Sequence, residues 1–158
     1  METRRLTRLL PLCGGLFRYR NDDSRLSTLT GRRLNEYIQR HIGEEFTAED
    51  FRTWGGTLLA AISLAEHGIA ETETEAARVI AATMRTVGER LGNTPAVARG
   101  SYVSPAVIEQ YLDGRTIDDF RPRHLRAVGA RDVGLDPEEQ ALVGLLRSNR
   151  IRRARKAA

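Results

Sequence analysis

Thr47-Ala-Glu-Asp-Phe-Arg-Thr-Trp-Gly-Gly-Thr-Leu-Leu-Ala-Ala-Ile-Ser-Leu-Ala-Glu-His-Gly68 is the stretch on which the reading of the fold turns. Its opening, Thr47 to Asp50, has the pattern of a capping box, with Asp as the weaker third partner. Leu58, Leu59, Ile62, Leu64 and Ala65 then supply the apolar residues of a helix, and Gly68 stops it. Gly55 and Gly56 lie inside that helix. Two glycines cost helix stability, so they point to close packing or to a close approach by a ligand backbone.

Working outward, Thr30 caps an earlier helix whose apolar face is Leu34, Tyr37, Ile38 and Ile42, with Gly43 as its stop. Before it, Leu16 to Tyr19 reads as a short strand closed by the turn signal Asn21-Asp22-Asp23. Residues 1–15 read as a helix end and a turn, broken by Pro11 and Gly14-Gly15. Downstream, Ala77, Ile80, Ala81, Met84, Val87 and Leu91 repeat with the period of one buried helical stripe from about Thr74. Gly92-Asn93-Thr94-Pro95 ends it. Ser104-Pro105 is an N-cap followed by Pro at the first helical position, opening a helix through Val107, Ile108, Tyr111 and Leu112 to Asp113-Gly114. Composition shifts after Gly114, and Asp136-Pro-Glu-Glu139 starts a last helix that ends in the basic run Arg150–Lys156. The expected architecture is mainly α, with one short strand or hairpin near 16–29. Its two parts are residues 1–114 and a helical basic C-terminal extension, 115–158. Leu34, Ile38, Leu59, Ile62, Ile80, Met84 and Val87 are the expected core.

Charge gives a first functional direction. The chain has 25 Lys+Arg against 21 Asp+Glu, a net +4, and Lys156 is its one lysine. Arginine binds phosphate with a planar, bidentate fork and stays protonated, so the balance suits a polyanionic partner. A GC-rich coding sequence would enrich Arg as well. With Cys13 as the one cysteine, no intrachain disulfide can form, and His41, His67 and His124 show no metal-ligand spacing. The N-terminus lacks the pattern of a signal peptide, and no apolar run is long enough to span a bilayer. A soluble, cytoplasmic, nucleoid-associated protein without metal or cofactor is expected.

Three segments stand together: Asp50-Phe-Arg52-Thr-Trp54-Gly-Gly-Thr57, Leu91-Gly-Asn93-Thr-Pro-Ala-Val97, and Ser101-Tyr102-Val-Ser-Pro-Ala-Val-Ile108 running on to Gly114. Singly, each is ordinary: an Arg beside acids, a helix stop, a Tyr ahead of a helix. Jointly, in order and spacing, they resemble the C-terminal motifs of bacterial and poxvirus-type type IB DNA topoisomerases. Asn35-Glu-Tyr-Ile38 and Glu45-Phe-Thr47 fit the same pattern. The resemblance covers roughly Leu16 to Gly114 and implies the C-terminal part of the DNA breaking-rejoining fold.

The resemblance also implies an activity, in which a tyrosine nicks one strand of double-stranded DNA through a 3′-phosphotyrosyl intermediate. The strand swivels and is religated, without ATP or metal, by an enzyme working as a monomer on DNA. Tyr102 matches the nucleophile, Arg52 the second catalytic arginine, and Asn93 a residue that is His in many members. Arg99 is a candidate phosphate clamp, and Trp54 a supporting or DNA-contacting residue. The chemistry suits these types. Donors aimed at the nonbridging oxygens stabilise a crowded anionic transition state, Arg52 gives charge-assisted bonds, and a tyrosine, which ionises near ~10 when free, needs a cationic neighbourhood.

The sequence departs from the family in several ways. The family's earlier arginine, its general-acid lysine and its DNA-clamping domain lie upstream of the segment matched here, and Glu49 stands where a basic residue is expected. A catalytically incomplete DNA-binding remnant is therefore one alternative, with the rest of the enzyme as a partner. A tyrosine recombinase is another. It is disfavoured because Glu49-Asp-Phe-Arg52 replaces the His-x-x-Arg box of that class.

Overall fold

The computed structural model describes residues 17–21, 23–121 and 134–157. The helix end and turn expected over 1–15, together with Asp22 and His124, lie outside them. The chain divides after Asp50 into two compact units.

In the first unit, β1 (Arg18–Arg20) and β2 (Leu26–Thr28) form an antiparallel hairpin in the register Arg18↔Thr28, Tyr19↔Ser27, Arg20↔Leu26. The turn places Ser24 at φ 59 and is closed by the Asn21 carboxamide, which accepts from the Arg25 N–H at 2.8 Å. Helix α1 (Gly31–His41) begins where expected, with the Thr30 hydroxyl accepting from the Arg33 N–H. Its expected apolar face is corrected: Ile38 is buried, while Leu34, Tyr37 and Ile42 are exposed. A hairpin and one helix of this length cannot close a core of their own. Phe17 and Leu26 are exposed as well.

Helix α2 (Ala48–His67) starts at the Thr47–Asp50 box. The Asp50 carboxylate accepts from the Thr47 N–H at 2.8 Å and from its hydroxyl at 2.9 Å, and these bonds hold the carboxyl below its ordinary range.

The core of the second unit is built between α2, α3 (Glu73–Leu91), α5 (Pro105–Leu112) and α6 (Pro137–Ala157). Between α3 and α5 runs a short helical stretch, α4 (Pro95–Val97), which widens into a π-type turn over Ala98–Tyr102. The most deeply buried apolar residues of α2 are Ala60, Ala61 and Leu64, in one cluster with Ile80, Met84 and Val87 of α3. Leu59 and Ile62 are only half-buried at the margin, so the α2 face is rotated from the one its largest residues suggest.

Residues read from sequence as an extension share this core. A 3₁₀ turn (Ile117–Phe120), capped by Thr116 and Asp119, buries Ile117. Helix α6 buries Ala141, Leu142 and Leu145, and the Gly144 backbone lies against the Phe120 side chain, where an added Cβ would meet Cβ and Cδ1 at 3.2 Å. Asn149 donates to the Glu109 carboxylate at 3.2 Å, and Arg152 pairs with Asp113 at 2.9 Å. No helix among the described residues is long and apolar enough to cross a membrane.

Tyr111 of α5 is buried, and its hydroxyl donates to the Gly68 carbonyl at 2.9 Å where α2 ends. Burial, then the negative field of Glu75, raise its pKa above the ordinary value near 10. The neutral phenol is the form that stabilises the fold. This contribution is fully present below pH ~10 and is lost as pH rises through the raised value. Thermal melts between pH 8 and 11 should show a late alkaline loss of stability that Tyr111→Phe diminishes, at a cost near neutral pH of about 1 kcal/mol for the lost hydrogen bond.

Candidate functional site

The three residues singled out in the sequence come from three separate elements. Arg52 is in the second turn of α2, Asn93 follows the end of α3, and Tyr102 closes the wide turn Ala98–Tyr102. All three are half-buried.

Asn93 is placed by the way α3 stops. Gly92 takes the left-handed conformation (φ 68), the Asn93 N–H returns to the Gly88 carbonyl at 2.7 Å, and the chain folds back over Gly88. A Cβ on Gly88 would lie 2.8 Å from the Asn93 carbonyl oxygen, so a glycine is required at that turn of α3. Thr94 then caps the next helical stretch, its hydroxyl accepting from the Val97 N–H, with Pro95 at the first position. This helix was not expected from sequence, although Thr94-Pro95 carries the same signal as Ser104-Pro105.

Arg52 and Asn93 meet at one atom. The Leu91 carbonyl oxygen accepts from Arg52 Nη2 at 3.0 Å and from Asn93 Nδ2 at 3.0 Å. That carbonyl is one of the last of α3, where helix carbonyls lack intrahelical partners and carry partial negative charge, so a guanidinium is well placed there. The same guanidinium lies over the Tyr102 ring, 4.8 Å from its centroid, within cation–π range. A cation, a neutral N–H donor and a phenol are thus gathered at the end of α3.

The backbone of Tyr102 is seated on α2. The Gly56 side of the helix comes so close that a Cβ there would stand 2.6 Å from the Tyr102 carbonyl oxygen and 3.1 Å from its Cβ. The close packing read from the glycine pair therefore belongs to Gly56, whereas Gly55 faces open space. Thr57 and Thr53 add hydroxyls along the same face, and neither Gly56 nor Thr57 was singled out for the site. A helical glycine with a threonine beside it is the signal that was present.

Arg99 is exposed in the same turn, three residues before Tyr102. Trp54 is half-buried, and its Nε1–H donates to the Glu139 carboxylate of α6 at 3.0 Å. Glu139 also accepts from the Asp136 N–H at 3.1 Å, while Asp136 accepts from the Glu139 N–H at 2.8 Å. One carboxylate thus closes the N-terminal cap of α6 and ties it to α2, two residues beyond Arg52. Among the described residues no cluster of three or more His, Cys, Asp or Glu could hold a metal ion.

The three spaced motifs thus converge in the structure on a tyrosine with an arginine and an amide donor beside it. The chain belongs to the family described as "Eukaryotic DNA topoisomerase I, catalytic core", whose model matches residues 15–119 and so takes in Arg52, Asn93 and Tyr102. It is also similar to "DNA topoisomerase 1B" of Acanthamoeba polyphaga mimivirus, 32% identical over 103 residues, which are 61% of this chain and 31% of that relative.

Trp54 is the one tryptophan of the chain, which makes its contact with α6 directly readable. Glu139→Ala should shift Trp54 fluorescence to longer wavelength and lower stability by about 1–2 kcal/mol, since it removes both a cap and a partner for the indole N–H. Unchanged emission with an unchanged melting temperature would rule out this tie.

Proposed function

We propose that this chain is the tyrosine-bearing part of a type IB DNA topoisomerase, with Tyr102 as the nucleophile. The observation that carries the reading is the meeting of Arg52 and Asn93 on the Leu91 carbonyl with the Arg52 guanidinium 4.8 Å from the Tyr102 ring centre. Membership of the topoisomerase I catalytic-core family supports it, as does the order of the motifs, which resembles that of the bacterial and poxvirus-type enzymes.

In the proposed step Tyr102 Oη attacks a backbone phosphorus of duplex DNA. The Oη–P bond forms, the P–O5′ bond breaks, the phenol proton passes to solvent, and the leaving oxygen takes up a proton to become a 5′-hydroxyl. Arg52 and Asn93 donate to the nonbridging oxygens, where negative charge concentrates. The covalent bond remains a phosphoester, so its energy is available for religation and no ATP is needed. Reversal after rotation of the free strand relaxes supercoils.

None of the three grouped side chains is an efficient proton donor to the leaving oxygen, and Lys156, the one lysine, is at the end of α6. Such a donor is typically worth about 10²–10⁴-fold, so cleavage by these three groups alone is slow. A second reading, a DNA-binding remnant without turnover, draws on the same feature.

The two readings part on a suicide duplex that loses its 5′ fragment on cleavage. The purified chain should form a protein–DNA adduct on a denaturing gel, Tyr102→Phe should abolish it, and Arg52→Ala should slow it by about 10²–10³-fold, the usual cost of removing a transition-state donor. Salt-dependent DNA binding unchanged in Tyr102→Phe, with no adduct from any variant, would favour the remnant.

A further inference from the structure

The chain leaves the wide turn at Tyr102, passes through Val103 in extended conformation (φ −118, ψ 122), and enters α5 after Ser104. The Tyr102 carbonyl and the Ser104 N–H therefore lie at a junction between two helical segments, where neither is provided for by a regular ladder. Ser104, the N-cap of α5, makes no side-chain capping bond of its own. Backbone groups in such a place need partners from elsewhere.

Thr57 provides for both. Its Oγ1–H donates to the Tyr102 carbonyl at 3.3 Å, and the same oxygen accepts from the Ser104 N–H at 3.1 Å. Thr57 as a residue is only 3% exposed. One helical turn earlier, the Thr53 hydroxyl reaches the Ser101 carbonyl at 3.5 Å. Thr53, Gly56 and Thr57 stand at i, i+3 and i+4 and so share one face of α2. Gly56 lets the tyrosine segment touch the helix there, and the two hydroxyls hold it in register.

We infer that Thr57 is a positioning residue for Tyr102, an inference that rests on the reading of Tyr102 as nucleophile. The bond to the Tyr102 carbonyl fixes the peptide that follows the tyrosine, and with it the direction of its Cα–Cβ bond. The phenolic oxygen is the atom of that side chain farthest from Cα, so a small backbone rotation carries it through a wide arc. Arg52 is on the same helix, five residues before Thr57. One rigid element thus sets both the nucleophile and the cation beside it, and Thr57 is the polar link between them.

The test compares the full chain as wild type, Thr57→Val, which keeps the shape and removes the hydroxyl, and Thr57→Ser, which restores it. With ring-labelled tyrosine, NMR resolves the four tyrosines, and Tyr102→Phe identifies the signal of interest. In Thr57→Val the Tyr102 ring signal should move and the Ser104 amide should exchange faster. Adduct formation on the suicide duplex should fall about 10–100-fold, the effect of a misplacement near 1 Å, with affinity for the same duplex changed less than about twofold. Thr57→Ser should recover all of these. Either of two results overturns the inference: a Thr57→Val chain that keeps its ring signal and Ser104 protection, or equal effects of Val and Ser. A wild-type chain that forms no adduct removes the reading of Tyr102 as nucleophile; the ring signal and Ser104 exchange then decide the seat by themselves.

Discussion

Helix α2 can touch the backbone of Tyr102 because residue 56 has no side chain. With the Tyr102 carbonyl oxygen 2.6 Å from where a Cβ would be, any other residue would push the two segments apart. Most of the site depends on that approach. It brings the Thr57 hydroxyl within reach of the two junction peptides, and it puts Arg52 at a distance from which its guanidinium covers the tyrosine ring. The helix tolerates the glycine because the contact it allows, together with the buried alanines one turn on, replaces the stability that the glycine forfeits.

The end of α3 is the second fixed point. A helix C-terminus offers carbonyls without intrahelical partners, and the Leu91 carbonyl holds both polar groups expected to face a phosphate. Local backbone chemistry makes this possible: a left-handed Gly92 and a Gly88 over which the chain returns. The site is thus assembled largely from main-chain features, with side chains added at their ends. This accounts for the number of glycines and threonines around it.

Residues beyond Gly114 belong to the same packing problem. Ile117, Leu142 and Leu145 complete a core that α2, α3 and α5 leave open on one side, and Glu139 reaches the tryptophan that follows Arg52 by two positions. A stretch without motif resemblance can therefore still bear on the geometry of the site, because packing density does not depend on whether a segment carries chemistry.

The sequence by itself determined the helices whose ends are spelled locally: Thr30, the Thr47–Asp50 box, Gly92 and Ser104-Pro105 stand at the helix ends where they are read. It also singled out Arg52, Asn93 and Tyr102, through joint spacing rather than through any property of each, and the structure brings these three together. The apolar periodicity of α3 was legible because its stripe faces one core, whereas that of α1 misled because Leu34, Tyr37 and Ile42 have the same period and stay exposed. Only the tertiary structure decided which face of α2 turns inward, since the face that buries Ala60, Ala61 and Leu64 and leaves Leu59 and Ile62 at the margin is set by what packs against it. It alone revealed the roles of Gly56, Thr57, the Leu91 carbonyl and Glu139. Those roles are distances between groups 39 to 85 residues apart, and periodicity and caps carry no information over such separations.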